Sequence, residues 1–207
     1  MDPQHPQLLL HSEQHMRWWI GARRANAMMP LALAGFLLPL FAVQNVRVAL
    51  PSLVGSPQVA LTLFVPVPIL ACLMHVLESR LPAPEDSGVR PIGRYDAALV
   101  AVLAAGTLGC ALLVAAWGGT QEAAASGRNV LFLAGLMLLG RAVVGPAAVL
   151  VPVAWLVLVV GIGFRGNVPR LWTVVPQSAY DVPTAVVSLL VFIAGVTALI
   201  FAPRKAP

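Results

Sequence analysis

The chain has 207 residues, of which 59% are hydrophobic and only 10% charged, and its mean hydropathy is +0.86. Soluble domains carry roughly half apolar and about a quarter charged residues, so this composition excludes a soluble globular fold and points to a polytopic membrane protein. The net charge of +5 is no nucleic-acid signal, because the basic residues flank apolar runs and so mark orientation and headgroup contact.

Residues 1–27 turn from polar to basic and aromatic, with Arg17-Trp18-Trp19-Ile20 followed by Arg23-Arg24. Tryptophans beside arginines suit the headgroup level, where an indole ring is half wet and a guanidinium meets lipid phosphate. They predict a cytoplasmic, interfacial "elbow" helix over about 8–25, the alternative being a plain basic flank of the first span. His11 and His15 stand four apart, but two histidines without a third ligand do not make a metal site.

Apolar runs predict spans at about 28–46, 58–77 and 97–117. The first begins too late for a signal sequence and reads as a retained span. Arg47, Pro51 and Pro57 mark the loop after it, and Pro66 and Pro68 are expected to kink the second span. Cys72 and Cys110 fall inside apolar runs and read as small buried hydrophobes. Asp96 is placed to cap the start of the third span. Along that span Ala97, Ala101, Ala105 and Gly109 repeat every four residues, a stripe that lets another helix approach closely, either within the protomer or across a dimer seam.

Residues 129–164 are 36 nearly unbroken apolar residues, with Arg141 and Gly145-Pro146 in their middle. As one helix they would reach about 54 Å at ~1.5 Å per residue, far beyond a ~30 Å hydrocarbon core. Arg141 would then sit near the bilayer centre, at a cost of roughly 3 kcal/mol. A hairpin of two spans, 129–144 and 147–164, avoids both: Arg141 snorkels to the headgroups, and Pro146 loses no helical hydrogen bond in the turn. A sixth span, 182–202, follows Asp181 with Pro183 in its first turn, and 203–207 form a short tail.

The sequence thus predicts an all-α integral membrane protein of six transmembrane helices with an N-terminal elbow, both termini cytoplasmic. Orientation follows the positive-inside rule: with both ends inside, Arg17, Arg23, Arg24, Arg80, Arg90, Arg94, Arg141, Arg204 and Lys205 face the cytoplasm. Arg47, Arg128, Arg165 and Arg170 face outward. The inner loop 79–95 is charged and proline-bearing. In the outer loop 165–181, Leu171-Trp172-Thr173-Val174-Val175 is too apolar to float in water, and is expected to lie on or dip into the outer interface.

No nucleotide-binding, hydrolase or metalloprotease motif is present, so no enzymatic activity and no cofactor are expected of this chain. His75 and Glu78, three apart at the inner end of the second span, read as a proton-coupled pair or as part of an interfacial charge cluster with Arg80.

This layout resembles the membrane subunit of an ABC-2 type exporter. That family combines a cytoplasmic elbow helix, six spans with both ends inside, an inner loop after span two, a tight inner turn between spans four and five, and a partly re-entrant outer segment before span six. Gly140-Arg141…Gly145-Pro146, Val151-Pro152-Val153-Ala154-Trp155 and Leu171-Trp172…Pro176 look like small permease-like proteins of actinobacteria. The resemblance implies a plasma-membrane permease half, driven by a separate ATP-binding subunit and paired with a second copy or a sister permease. The ATPase-contacting loop would then carry Glu78, Arg80, Glu85, Asp86, Arg90 and Arg94, with Arg141, Gly145 and Pro146 at the inner turn. The family's Glu-rich, Gly-Thr stretch is represented in this loop only by Glu78, Glu85, Asp86 and Gly88. A different class remains open: a non-transporting immunity or assembly partner that binds through the α-helical stripe. An intramembrane enzyme has no converging nucleophile, base or metal set to support it.

Overall fold

Long runs of Leu, Val and Ala leave the backbone no hydrogen-bond partner in lipid except itself, and helices follow. A computed structural model describes residues 25–53, 55–79 and 92–201. The chain runs α1 (Ala25–Val43), β1 (Arg47–Ala49), β2 (Gln58–Ala60), a 3-10 turn (Leu61–Leu63), α2 (Pro66–Glu78), α3 (Ile92–Gly118) and α4 (Gln121–Val144). A second 3-10 turn (Gly145–Val149), α5 (Leu150–Ile162), β3 (Phe164–Arg165), β4 (Val168–Pro169) and α6 (Val182–Phe201) complete it. The expected elbow, with Arg17, Trp18, Trp19, Arg23 and Arg24, and the loop residues Arg80, Glu85, Asp86 and Arg90 lie outside the described residues.

Four stretches are long and apolar enough to cross a membrane: Leu61–Glu78, Gly93–Gly118, Gln121–Ile162 and Val182–Phe201. Six were expected. Met28–Val43 is a shorter apolar helix, and the fourth and fifth expected spans form one 42-residue run. That run does reverse at its middle. The rings of Phe132 and Trp155 lie 5.5 Å apart, where a continuous helix would separate them by about 35 Å. Gly145 makes the reversal with φ +64, a backbone region that glycine enters without strain.

Three boundaries depart from expectation, each for a local reason. Pro66 and Pro68 do not kink a helix; Pro66 opens α2, where its missing N–H has no role, and the residues before it pair as strand β2. Asp96 does not cap α3, which begins at Ile92, and is instead buried inside it. The helix expected to start near 129 starts at Gln121, because Glu122-Ala123-Ala124-Ala125 are strong helix formers. Asp181 behaves as expected: its Oδ2 accepts the Thr184 N–H at 3.1 Å and starts α6.

The core gathers around α4. Phe36 and Leu40 of α1, Ile69 and Leu77 of α2, Val100 of α3 and Leu156 of α5 are fully buried with Leu133, Met137 and Leu138 of α4. The closest helix pair is α4 against α6. A Cβ added at Gly135 would lie 2.5 Å from the Val191 carbonyl oxygen, and one at Gly195 would lie 2.6 Å from that of Gly135, so only glycine fits either position. Only Thr184, Ser188 and Gly195 of α6 are buried, while Leu189, Leu190, Ile193 and Phe201 face outward, as suits a helix whose solvent is lipid.

The α3 stripe does not serve the intramolecular packing that its spacing suggested. Ala97 is buried, but Ala101, Ala105 and Gly109 are exposed. α3 instead packs through Val100, Leu103, Ala104, Thr107 and Ala111, one helical face away.

Candidate functional site

Polar groups concentrate at the two ends of α4. At its N-terminal end the two short β-hairpins meet. The β1–β2 pair registers Arg47 opposite Ala60 and Ala49 opposite Gln58. The Gln58 N–H donates to Asn167 Oδ1 at 3.0 Å, and the Leu53 N–H donates to the Gly161 carbonyl at 3.2 Å, which joins the hairpins to each other and to α5. Arg47 Nη2 pairs with Glu122 Oε1 at 2.7 Å, tying β1 to the first turn of α4.

Beneath this rim lies Arg128, expected in an outer loop and found within α4 at 5% exposure. Its Nη1 donates to the Ser178 carbonyl at 2.5 Å and to Thr184 Oγ1 at 2.9 Å. Its Nη2 donates to the carbonyls of Val174, Val175 and Gln177 at 3.2, 3.4 and 2.9 Å, and to Asn129 Oδ1 at 3.3 Å. Asn129 Nδ2 adds a bond of 3.0 Å to the Val175 carbonyl. Among the described residues no carboxylate lies within ion-pair distance of Arg128. The two terminal nitrogens of the guanidinium are therefore solvated by backbone carbonyls and neutral side chains, which replace water that a buried charge otherwise loses, while the Asp181 carboxylate attracts the charge from longer range.

This bonding sets the path of residues 170–181. Leu171-Trp172-Thr173-Val174-Val175 does not lie flat as an apolar ribbon. Leu171 is 98% exposed, whereas Thr173, Val174 and Val175 turn inward and are buried, and the carbonyls of Val174 and Val175 accept from Arg128. Trp172 stacks edge-on to Trp155 at 6.0 Å, and Trp155 to Phe132 at 5.5 Å, an aromatic ladder joining the segment to α5 and α4. Between the segment, the hairpins and α4 opens a cleft of about 270 Å³.

At the C-terminal end of α4 two sequence features come together. Arg141, expected to snorkel to headgroups, instead turns to α2: its Nε donates to Glu78 Oε1 at 2.9 Å and its Nη2 to the Leu77 carbonyl at 3.2 Å. The side chains are 11% and 23% exposed. The inner turn is thus joined to Glu78, the last residue of α2, just before the expected coupling loop. Gly145 and Pro146 form the 3-10 turn just beyond. Arg94 and His75 are exposed and take no part in the pair.

The sequence puts Arg128 on the outer side but gives no direct sign of its burial within a helix. The available signal was the helix-forming Glu122–Ala125 run, which carries α4 back past the charge. Among the described residues no group of three or more His, Cys, Asp or Glu could hold a metal. Comparison of the chain with protein-family models, with curated proteins and with solved structures finds no match.

Proposed function

We propose that this chain is the membrane-spanning half of a transport complex of the ABC-2 exporter type, resident in the cell membrane and driven by a separate ATP-binding subunit. In this reading α1 to α6 make six crossings, with α4 and α5 as the two legs of a hairpin, and both termini are cytoplasmic. The supporting observation is the filled interior: the spaces between α2, α3 and α4, and between α1, α2 and α3, measure about 10 Å³ each, no more than a water. Among the described residues these spaces leave a solute no room, so in this reading the pathway forms against a second permease along the lipid-facing helices. The inward-turned 170–181 segment before the last helix and the tight Gly145–Val149 turn also suit the resemblance. Glu78 is committed to Arg141, so a push on the 79–95 loop reaches α4 through that ion pair.

The test is to replace residues 80–91 with a Gly/Ser linker of equal length, and to measure transport together with stimulated ATP hydrolysis by the co-purified ATPase. Loss of both with an intact bundle is expected. An ATPase that never co-purifies, or wild-type activity from the linker version, sinks the reading. Orientation is checked with cysteines at Ser87 and Leu171 in a Cys72- and Cys110-free background. An impermeant reagent should reach Leu171→Cys from outside and Ser87→Cys only after permeabilisation.

A second reading, a non-transporting partner acting by helix contact, is favoured by one observation: Ala101, Ala105 and Gly109 lie uncovered on α3. Ala101→Leu with Ala105→Leu would then abolish partner capture and leave membrane insertion unchanged.

A further inference from the structure

We infer that the cleft between the two β-hairpins and the N-terminal end of α4 binds a small, uncharged, hydroxyl-rich molecule. The inference needs only the cleft and stands apart from any coupling to an ATPase. Its walls carry amides in unusual density for so apolar a chain: Gln58, Gln121, Asn129, Asn167 and Gln177. Asn129 is used at both ends, by Arg128 and by the Val175 carbonyl. The side-chain amide of Gln58 makes no hydrogen bond among the described residues. Asn167 engages only its Oδ1, and Gln177 only its Nε2, which donates to the Arg170 carbonyl at 3.0 Å. The cleft wall therefore carries unused donors and acceptors.

Charge decides the ligand class. The only ionised side chains on the wall are Arg47 and Glu122, and they already neutralise each other at 2.7 Å. A charged ligand finds no uncompensated opposite charge on the wall, since Arg47 and Glu122 already balance each other, whereas hydroxyls, each donor and acceptor at once, match free amide ends. Leu63, Phe164 and Pro176 supply apolar wall for the carbon face of such a molecule. About 270 Å³ falls just below the range of roughly 300–1,000 Å³ for drug-sized ligands, which limits the occupant to about one sugar ring or a comparable polyol. The same chemistry is offered by a free polyol and by the sugar headgroup of a glycolipid.

The two sources separate experimentally. Ala179, on the cleft wall, is changed to Cys in the full chain lacking Cys72 and Cys110, reconstituted in phosphatidylcholine vesicles, and its rate of maleimide labelling is followed. D-galactose, myo-inositol and glycerol at saturating millimolar levels are the soluble probes, and vesicles containing galactosyl diacylglycerol are the lipid probe. Glycine betaine is the zwitterionic control. One of the polyols should slow labelling roughly tenfold, the factor 1 + [L]/Kd at about nine times Kd. Slowing by the glycolipid alone assigns the site to a headgroup. Gln58→Ala with Gln121→Ala should abolish the protection while leaving the unprotected labelling rate and the elution profile unchanged. No slowing by any polyol or by the glycolipid, slowing by glycine betaine alone, or protection that survives the double variant overturns the inference.

Discussion

α4 carries two arginines, and the protein treats them in opposite ways. Arg128, 5% exposed, is held by backbone carbonyls and neutral side chains; Arg141, on a more open surface, is held by the carboxylate of Glu78. Carbonyl solvation needs several backbone groups turned toward one point, so it dictates the path of a whole segment. A carboxylate partner dictates only one side-chain position. The N-terminal end of α4 is accordingly where irregular chain is organised, and the C-terminal end is where two regular helices are clasped.

The largest effect expected to test this contrast is at Arg128. Arg128→Leu leaves the carbonyls of Val174, Val175, Gln177 and Ser178 without their donor and should cost about 3–5 kcal/mol, read as a large fall in unfolding midpoint in detergent. Arg128→Lys keeps the charge but not the planar array of donors, and should recover only part of the loss. If lysine restores full stability, charge alone matters and the carbonyl cage is incidental.

Gly135→Ala comes next. Its new methyl meets backbone of α6, which cannot rotate away, so a loss of roughly 1–3 kcal/mol is expected, with α6 the element displaced. Unchanged thermal stability would mean that α4 and α6 are less closely apposed than described.

At the clasp, a double-mutant cycle with Glu78→Gln and Arg141→Gln should return a coupling of about 1–2 kcal/mol. The charge-reversed pair, Glu78→Arg with Arg141→Glu, should retain much of it, an exchange that Arg128 could not tolerate. The smallest effect is at the rim. Arg47 and Glu122 are 59% and 29% exposed, so Arg47→Ala should cost under about 1 kcal/mol, and less still in high salt.

The contrast also explains what could be read in the sequence. The Gly145-Pro146 reversal was legible because an over-long apolar run with a proline in its middle has no other economical solution. The start of α6 was legible because Asp181 and Pro183 act within one turn of themselves. Arg128 was not, since a hydropathy reading stops a span at a charge, and the groups that accept its hydrogen bonds belong mainly to a distant, irregular segment. The α3 repeat was visible as a pattern, yet spacing does not say which face a neighbour will cover. Ala101, Ala105 and Gly109 stayed outside, while isolated glycines on α4 and α6 made the close approach. Glu78 stands out by the resemblance and by its place at the end of the second span, but its partner Arg141, 63 residues later, reads in sequence as a headgroup contact.

The distance along the chain between Arg128 and its carbonyls has a consequence for synthesis. The segment residues that solvate the guanidinium lie 46 to 50 positions downstream, and Thr184 lies 56 downstream. At roughly 5–20 residues per second, the ribosome needs about 2–11 s to deliver them after Arg128 has left the peptidyl-transferase centre. For that interval the guanidinium has none of these downstream acceptors. The carbonyl cage around Arg128 therefore closes only after the 170–181 segment has been made, which places the final seating of this end of α4 late in biogenesis, although α2, α3, α5 and α6 all pack against that helix.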